Sequence, residues 1–301
     1  MTTAPRDPAF PTVGAYNLLA QLGEGGMGVV YRATSRAGGN GGGIVAVKVL
    51  RPQVIGDREA RERLAREVST LQRVRSRWVA EILDADPWGP TPYVVTRYVP
   101  GRSLHQVVSE EGPIGGDDLL WLGRGLLAGI RAVHEAGVLH RDVKPSNVVL
   151  EGRTPVLIDF GLARMAEDSH LTQTGWILGT PGYLAPEVIH GEEPTESVDV
   201  FGWAATLAYA ATGHAPYGKG PAMAVMDRTR RGEHDLTGVD VSLRIVLESA
   251  LSPEPGERPT VDQLLEWLAR QGSDPTAVHR RVEAPPQSPP TAPLPVATGV
   301  L

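Results

Sequence analysis

Cysteine is absent from the 301-residue chain. This absence excludes disulfide bonds, thiolate zinc sites and a cysteine nucleophile, and it is typical of proteins of the reducing cytoplasm, where we expect this one. Long apolar runs are also absent, because the longest, residues 200–213, is shorter than the roughly 20 residues that a membrane-spanning helix needs. The first ten residues lack the apolar core of a signal peptide. We therefore expect no membrane segment in this chain and a buried core helix at 200–213.

Lysine is scarce, and acidic residues outnumber basic ones. The net charge is −6, and no stripe of basic residues interleaved with aromatics is present, so nucleic acid is not an expected partner. Of the 29 basic residues only Lys48, Lys144 and Lys219 are lysines. Lysine is a compact point charge and arginine a broad planar fork, so a tight site keeps its lysine. The alternative is that three lysines survive by chance.

The length predicts two lobes, since one hydrophobic core seldom grows this large. Residues 1–12 read as a disordered arm. Residues 13–97 combine β-branched runs with one amphipathic helix, at 58–74, and predict an α+β lobe with a small antiparallel sheet. Residues 98–272 predict a mainly helical lobe. Residues 273–301 are rich in proline and form an extended linker or tail.

The elements predicted within these lobes follow from hydrophobic periodicity. The strands expected in the first lobe are 16–22, 28–34, 44–50 and 93–99. The helices expected in the second lobe are 117–137, 198–213, 243–252 and 260–270, with extended pieces at 137–140, 147–152 and 155–160.

Glycines 23, 25 and 28 have G-x-G-x-x-G spacing. That spacing also opens dinucleotide-binding folds, but those need a helix directly after the third glycine. Here the β-prone residues 29–33 follow. The pattern therefore predicts a strand–turn–strand that covers phosphates, and it disfavours dinucleotide binding.

Lys48 lies in the predicted strand "VAVKVL", where a charge is costly without a partner. An anionic ligand is one possible partner. Glu67 on the following helix is another, because it lies on the turn between Leu64 and Leu71 and can face the lobe interior. An ordinary surface glutamate is an equally good interpretation of Glu67.

The octet "HRDVKPSN", residues 140–147, places Asp142, Lys144 and Asn147 within a few positions of one another. A solvated charged loop is the simplest interpretation of such a cluster. The other motifs, taken with this octet, favour an active site.

Together these motifs resemble the catalytic domain of eukaryotic-like (Hanks-type) serine/threonine protein kinases, most closely the bacterial members, over residues 14–270. The resemblance implies a bilobal fold that binds ATP and Mg²⁺, or Mn²⁺, at the hinge between the lobes. The motifs, in the order and spacing of the family, are "GEGGMGVV" (23–30), "VAVK" (45–48), Glu67, "HRDVKPSN", "DFG" (159–161), "APE" (185–187), Asp199 and Arg258.

The resemblance assigns catalytic roles. Asp142 would accept or orient the proton of the attacking hydroxyl, and Lys144 would neutralise the transferring phosphoryl group. Asn147 and Asp159 would supply oxygen ligands to the metal ion. Thr180 would hydrogen-bond toward Asp142 and Lys144, which is typical of kinases that act on serine or threonine.

The resemblance also implies a nucleotide site. Lys48, paired to Glu67, would hold the α- and β-phosphates. Thr96 would be a small gatekeeper, and Arg97 stands where an acidic residue is common, although its backbone rather than its side chain would contact adenine. The full implied set is Leu22, Gly23, Gly25, Gly28, Val30, Ala46, Lys48, Glu67, Thr96, Arg97, Tyr98, Val99 and Val149.

Other implied roles are structural or regulatory. Phe160 would pack between the lobes, Glu187 and Arg258 would form a buried ion pair, and Asp199 would anchor the backbone of the catalytic loop. Arg141 would pair with a phosphate on Thr172 or Thr174 after autophosphorylation. The alternative is that both are ordinary loop threonines.

The sequence therefore predicts an ATP-dependent serine/threonine protein kinase whose partners are protein substrates and itself, with a dimer possible. A pseudokinase scaffold is the alternative, but Lys48, Asp142 and Asp159 are all present. A small-molecule phosphotransferase is disfavoured because it needs no "APE" shelf for a peptide. The proline-rich tail is either a natural end or a truncation before a membrane helix.

Overall fold

The computed structural model describes residues 11–36, 43–51, 58–159 and 180–271. It has the two lobes that the sequence predicts. The first contains an antiparallel sheet of six strands in the order β1-β2-β3-β4-β6-β5. The strands are β1 (Thr12–Val13), β2 (Tyr16–Gly25), β3 (Gly28–Ser35), β4 (Ile44–Leu50), β5 (Ile82–Asp86) and β6 (Tyr93–Arg97).

The two faces of this sheet have different surroundings. Residues directly opposite each other in adjacent strands share a face. On one face Val47 and Val95 are opposite each other and belong to a small buried cluster within the first lobe. On the other face Val30, Lys48 and Val94 form one row across β3, β4 and β6. Val94 belongs to the main core of the protein, so Lys48 lies on the face that meets the rest of the molecule.

Helix α1 (Arg58–Leu71) packs in that main core through Ala60, Leu64, Val68 and Leu71. The helix ends three residues before the predicted end, although Val74 is still buried. Strand β5 was not predicted, since its sequence "ILDAD" has no clear alternation. The Arg61 guanidinium holds α1 to the β5–β6 turn by donating to the carbonyls of Pro87, Trp88 and Gly89 at 3.1–3.2 Å.

The second lobe is mainly helical. Its helices are α2 (Leu104–Glu111), α3 (Gly116–Glu135), α4 (Pro186–His190), α5 (Ser197–Thr212), α6 (Ala222–Arg230), α7 (Val241–Ala250) and α8 (Val261–Gln271). Helix α5 is buried along nearly its whole length, which explains its apolar sequence. In the described part of the chain, no helix is both long enough and apolar enough to cross a bilayer.

The second lobe also contains a small antiparallel sheet, with strands β7 (Arg102–Ser103), β8 (Val148–Glu151) and β9 (Thr154–Leu157), which contacts α2 and α3. Residues 137–140, predicted to be extended, form no strand. Helix α2 was not predicted either. Its signal is local, since Ser103 and Gln106 form a capping box at its start.

Candidate active site

Three side chains of the octet converge. The Asp142 Oδ2 atom accepts hydrogen bonds from Lys144 Nζ at 2.8 Å and from Asn147 Nδ2 at 2.7 Å. Asn147 Nδ2 also donates to the Asp142 carbonyl at 2.9 Å. Pro145 begins a short 3₁₀ turn, Pro145–Asn147, that brings Asn147 back toward Asp142. The side chains of the octet are therefore hydrogen-bonded around the Asp142 carboxylate and do not form an ordinary solvated loop.

Asp199 on α5 holds the chain immediately before this cluster. Its fully buried carboxylate accepts hydrogen bonds from the backbone N–H groups of His140 at 2.8 Å and Arg141 at 2.6 Å. The ring of His134, from α3, lies 2.7 Å from the same carboxylate. A buried charge with three such partners is well satisfied. The position of Asp142 is therefore set by a core helix.

Helix α5 also contacts the loop through small groups. Thr206 Oγ1 donates to the Val143 carbonyl at 3.3 Å. A β-carbon at Gly202 would lie 2.9 Å from the same carbonyl oxygen, so glycine permits this close approach. Sequence reasoning missed His134, Gly202 and Thr206. The available signal was Asp199 itself, because a carboxylate in an apolar helix needs partners.

The backbone on both sides of the site is unusual. Among the residues that the structure describes, only Arg141 (φ 61°) and Asp159 (φ 58°) are non-glycine residues with positive φ. Such conformations cost of order 1–3 kcal/mol and are common at functional sites. Burial lowers the pKa of the neighbouring His140 below its ordinary value, and the nearby carboxylates of Asp199 and Asp142 oppose this effect less strongly.

Lys48 corrects one expectation. Its Nζ atom lies 3.0 Å from Asp159 Oδ1, and both side chains are largely buried. Lys48 is therefore paired with Asp159 and not with Glu67. Glu67 lines a separate depression beside Arg66 and Arg141. The helical spacing correctly placed Glu67 on the inner side of α1, but spacing does not determine which charged group it meets.

Two oxygen donors remain for a metal ion. Asn147 directs its amide hydrogens to Asp142, which leaves its amide oxygen as an acceptor. Asp159 binds Lys48 through one carboxylate oxygen and retains the second. Amide and carboxylate oxygens are donors that hard divalent cations prefer, so these two residues fit a divalent metal ion.

The glycine-rich segment is a strand–turn–strand, as predicted, formed by the end of β2 and the start of β3. Around Gly23 and Gly25 there is open space where a β-carbon would lie, so the backbone is accessible to a ligand. Gly28 differs, because a β-carbon there would lie 2.0 Å from the Val49 carbonyl oxygen. Gly28 is therefore required for packing of β3 on β4.

The rest of the expected nucleotide site is divided between the lobes. Ala46 and Thr96 are opposite each other on the same sheet face as Val30 and Lys48. From the other lobe, Val149 packs with the hinge residue Val99 in a small cluster. Leu22 is exposed, Tyr98 is half-buried, and Arg97 pairs with Glu151.

Glu187 and Arg258 form an ion pair in the second lobe. Arg258 Nη1 and Nη2 donate to the two Glu187 carboxylate oxygens at 2.6 and 2.8 Å. The remaining guanidinium hydrogens donate to the carbonyls of Ser197, Ser252 and Pro253. Both side chains are buried, and the pair connects α4 to the segment before α8.

Thr180 departs from expectation. Its side chain is exposed, and no hydrogen bond joins it to Asp142 or Lys144 among the described residues. Asp142 Oδ2 instead accepts hydrogen bonds from Lys144 and Asn147. Phe160, Thr172 and Thr174 lie outside the described residues.

Comparisons with known proteins agree with this geometry. The protein kinase domain family matches residues 16–268. A probable serine/threonine-protein kinase, PkwA of Thermomonospora curvata, is 39% identical over 265 residues, which cover 88% of this chain and 35% of that protein. The serine/threonine-protein kinase AfsK of Streptomyces griseus is 38% identical over 269 residues, which cover 87% and 33%. This chain thus spans about a third of the length of these curated relatives.

The fold is also found among solved structures. The crystal structure of Rad53 1-466 in complex with AMP-PNP superposes with a TM-score of 0.69 at 24% identity, covering 84% of this chain and 65% of that chain. The likeness extends over both lobes described above. The chain therefore belongs to the protein kinase family, and it resembles the eukaryotic-like (Hanks-type) serine/threonine kinases of bacteria.

Proposed function

We propose that this domain transfers the γ-phosphoryl group of ATP to serine and threonine hydroxyls of proteins. The observation that carries the proposal is the convergence of Lys144 and Asn147 on the Asp142 carboxylate. We take residues 13–97 as the nucleotide-binding lobe and 98–272 as the catalytic and peptide-binding lobe. Because ATP is the donor, we expect the reaction to take place in the cytoplasm.

The chemistry needs mainly positioning and charge neutralisation. Asp142 would accept a hydrogen bond from the target hydroxyl and take its proton as the oxygen attacks phosphorus. Lys144, already 2.8 Å from Asp142, is close enough to neutralise charge on the transferring group. Its compact ammonium can approach an oxygen where a guanidinium would be too broad.

Asn147 and Asp159 would hold the divalent ion, for which we propose Mg²⁺ over Mn²⁺. An ion held there would supply positive charge that neutralises the phosphate groups of ATP. Lys48 lies beside Asp159, so it can act on the same triphosphate. The backbone of residues 97–99 would bind adenine, with Val30, Ala46 and Val149 as apolar neighbours.

Regulation by autophosphorylation belongs to the same proposal. Arg141 directly precedes the catalytic Asp142, and its backbone is fixed by Asp199. A phosphate on Thr172 or Thr174 would carry a charge of about −2, which a guanidinium binds strongly. The side chain of Arg141 is the proposed receptor for that phosphate.

The test is intact-mass measurement and phosphosite mapping after incubation with ATP and Mg²⁺, beside the variant Asp142→Asn. We expect phosphate on Thr172 or Thr174 in the wild type and none in the variant. The Asp142→Asn variant should still bind ADP, because the substitution removes one negative charge but leaves the fold intact. Wild-type protein that neither gains mass nor binds ADP would contradict the proposal. Repeating the reaction with Mn²⁺ tests the choice of metal.

A further inference from the structure

Arg97 and Glu151 form an ion pair across the hinge. Arg97 Nη1 donates to both carboxylate oxygens of Glu151, at 3.0 and 3.1 Å. Arg97 is the last residue of β6 in the first lobe, and Glu151 is the last residue of β8 in the second. The contact therefore joins the two sheets at the point where the chain passes from one lobe to the other.

Both residues have a fixed backbone. Arg97 is opposite Val45 in the six-stranded sheet, and its N–H donates to the Glu81 carbonyl at 2.8 Å. Glu151 is opposite Thr154 in the tight β8–β9 hairpin. A shift of one lobe relative to the other must therefore lengthen the ion pair, because neither strand end can follow the other freely.

The ion pair lies in a groove that several charged side chains line. Arg97 and Glu151 line a groove of about 490 Å³ together with Arg75, Arg77, Glu81 and Thr154. Across this groove Arg75 lies 2.9 Å from Glu81, and Arg77 Nη2 donates to Thr154 Oγ1 at 3.4 Å. Two polar contacts thus connect the lobes on this side of the hinge, Arg97 with Glu151 and Arg77 with Thr154.

A different contact connects the lobes farther inside. The Ala80 N–H donates to the Leu157 carbonyl at 2.9 Å, and the Leu157 N–H donates to the Trp78 carbonyl at 2.8 Å. These backbone bonds are buried and leave little freedom at that point. Rotation about this inner contact would change chiefly the distance between β6 and β8, which the ion pair spans.

The ion pair is also close to the proposed adenine site. Val99 lies two residues after Arg97, and Val149 lies two residues before Glu151 on the same face of β8. Val99 and Val149 pack in one cluster. The ion pair therefore lies two residues along the chain from both Val99 and Val149, which are expected to line the adenine site.

We propose that Arg97 is a positioning residue for nucleotide binding, and that its side chain acts through Glu151 to hold the two lobes in the arrangement of this structure. This inference rests on the proposed function, since it concerns the same nucleotide site. An acidic side chain at position 97 would repel Glu151.

Loss of the Arg97–Glu151 ion pair should weaken ADP binding only moderately. Each side chain is 35% exposed, so water and salt weaken the attraction. Pairs of this kind change an equilibrium by roughly two- to fivefold, and near 1 M salt the effect is largely screened.

The experiment compares Arg97→Glu, Glu151→Arg and the double variant with wild type, using calorimetric titration with ADP and Mg²⁺. We expect each single variant to bind ADP about two- to fivefold more weakly, and the double variant to recover binding within about twofold. Phosphoryl transfer should show a raised KM for ATP with little change in kcat, because the Asp142 cluster is untouched. Arg244→Glu, on α7, is the matched control.

A second measurement does not depend on nucleotide binding. The chain has no cysteine, so Ser69→Cys on α1 and Met223→Cys on α6 provide the only labelling sites for spin labels in the two lobes. We expect the distribution of distances between the labels to broaden in each single variant and to narrow again in the double variant.

The outcomes separate the two proposals. Wild type that binds no ADP would overturn the proposed function, while the label distances would still test the ion pair. Single variants that match Arg244→Glu in both measurements would overturn the role of Arg97. The role of Arg97 would also be overturned if the double variant lost as much ADP affinity as the two single variants lose together.

Discussion

Lys48 Nζ lies 3.0 Å from Asp159 Oδ1, and this ion pair joins β4 of the first lobe to the segment directly after β9 in the second. The contact places the cation proposed for the phosphates beside the carboxylate proposed for the metal ion. Both groups can therefore act on one triphosphate. The pair also shows why this site needs a compact cation, because it lies in a largely buried space between two lobes.

The three lysines give a matched comparison. Lys48→Arg and Lys144→Arg should each lower phosphoryl transfer about 10²-fold, because the wider guanidinium displaces the groups around it. Lys219→Arg should leave the rate unchanged, since Lys219 is exposed. Steady-state transfer to a peptide or to the protein itself measures the effect. Full activity of Lys144→Arg would refute the argument from lysine geometry.

Breaking the buried Glu187–Arg258 pair from one side should destabilise the second lobe strongly. Glu187→Gln leaves a buried guanidinium without its counter-charge, which typically costs about 3–5 kcal/mol. Urea denaturation followed by circular dichroism measures the free energy of unfolding. Arg244→Gln breaks the exposed Arg244–Glu248 pair and should cost less than about 1 kcal/mol. Equal losses in the two variants would argue against a special role for the buried pair.

Tyr217→Phe should stabilise the protein. The Tyr217 ring is fully buried and stacks on Phe201, yet its hydroxyl has no hydrogen-bond partner among the described residues. Removing an unsatisfied buried hydroxyl relieves roughly 1 kcal/mol or more, which corresponds to about 2–4 °C in Tm. Scanning calorimetry of the two proteins provides the measurement. A lower Tm in the variant would show that the hydroxyl has a partner that stabilises the fold.

Stability should fall in mild acid because of His140. Burial lowers the pKa of His140, so the unfolded chain takes up a proton near pH 6.5 while the folded protein does not. The unfolded state then binds more protons, and the contribution that is fully present above pH 6.5 is lost as pH falls, by up to about 1.4 kcal/mol per pH unit.

Denaturation at pH 7.5, 6.5 and 5.5 tests this expectation. In the His140→Gln variant the free energy of unfolding should change less with pH than in the wild type. This holds whatever the stability of the variant at pH 7.5. His190→Gln is the control, because His190 is exposed at the end of α4. An unchanged slope in His140→Gln would place the source of acid sensitivity elsewhere, with His234 the next residue to examine, since burial lowers its pKa too.

Local patterns in the sequence were enough to predict much of the fold. The β-branched runs that form β2, β3, β4 and β6, the helical period of α1 and the apolar run that forms α5 were all visible in the sequence. Strand β5 and helix α2 were missed for different reasons. The first has little hydrophobic pattern, and the second is short and identified only by its capping box.

The cluster around Asp142 was predictable because its members are close in sequence. Asp142, Lys144 and Asn147 lie within six residues, and a 3₁₀ turn that starts at proline suffices to bring them together. The glycine-rich strand–turn–strand was predictable for the same reason.

Contacts between distant residues needed the tertiary structure. Lys48 had two carboxylates in reach, and only the relative position of the lobes selected Asp159 over Glu67. Thr180 was expected near Asp142 and lies exposed.

The sequence by itself thus determined the family, the order of the elements and the chemistry of the octet, since each depends on residues that are neighbours in the chain. The tertiary structure alone decided which charges meet across the hinge, as Arg97 and Glu151 do. It also decided which core helix holds the catalytic loop, through Asp199. The physical reason is that an ion pair forms wherever packing brings opposite charges within a few ångströms, and packing between lobes leaves no periodic signal in the sequence.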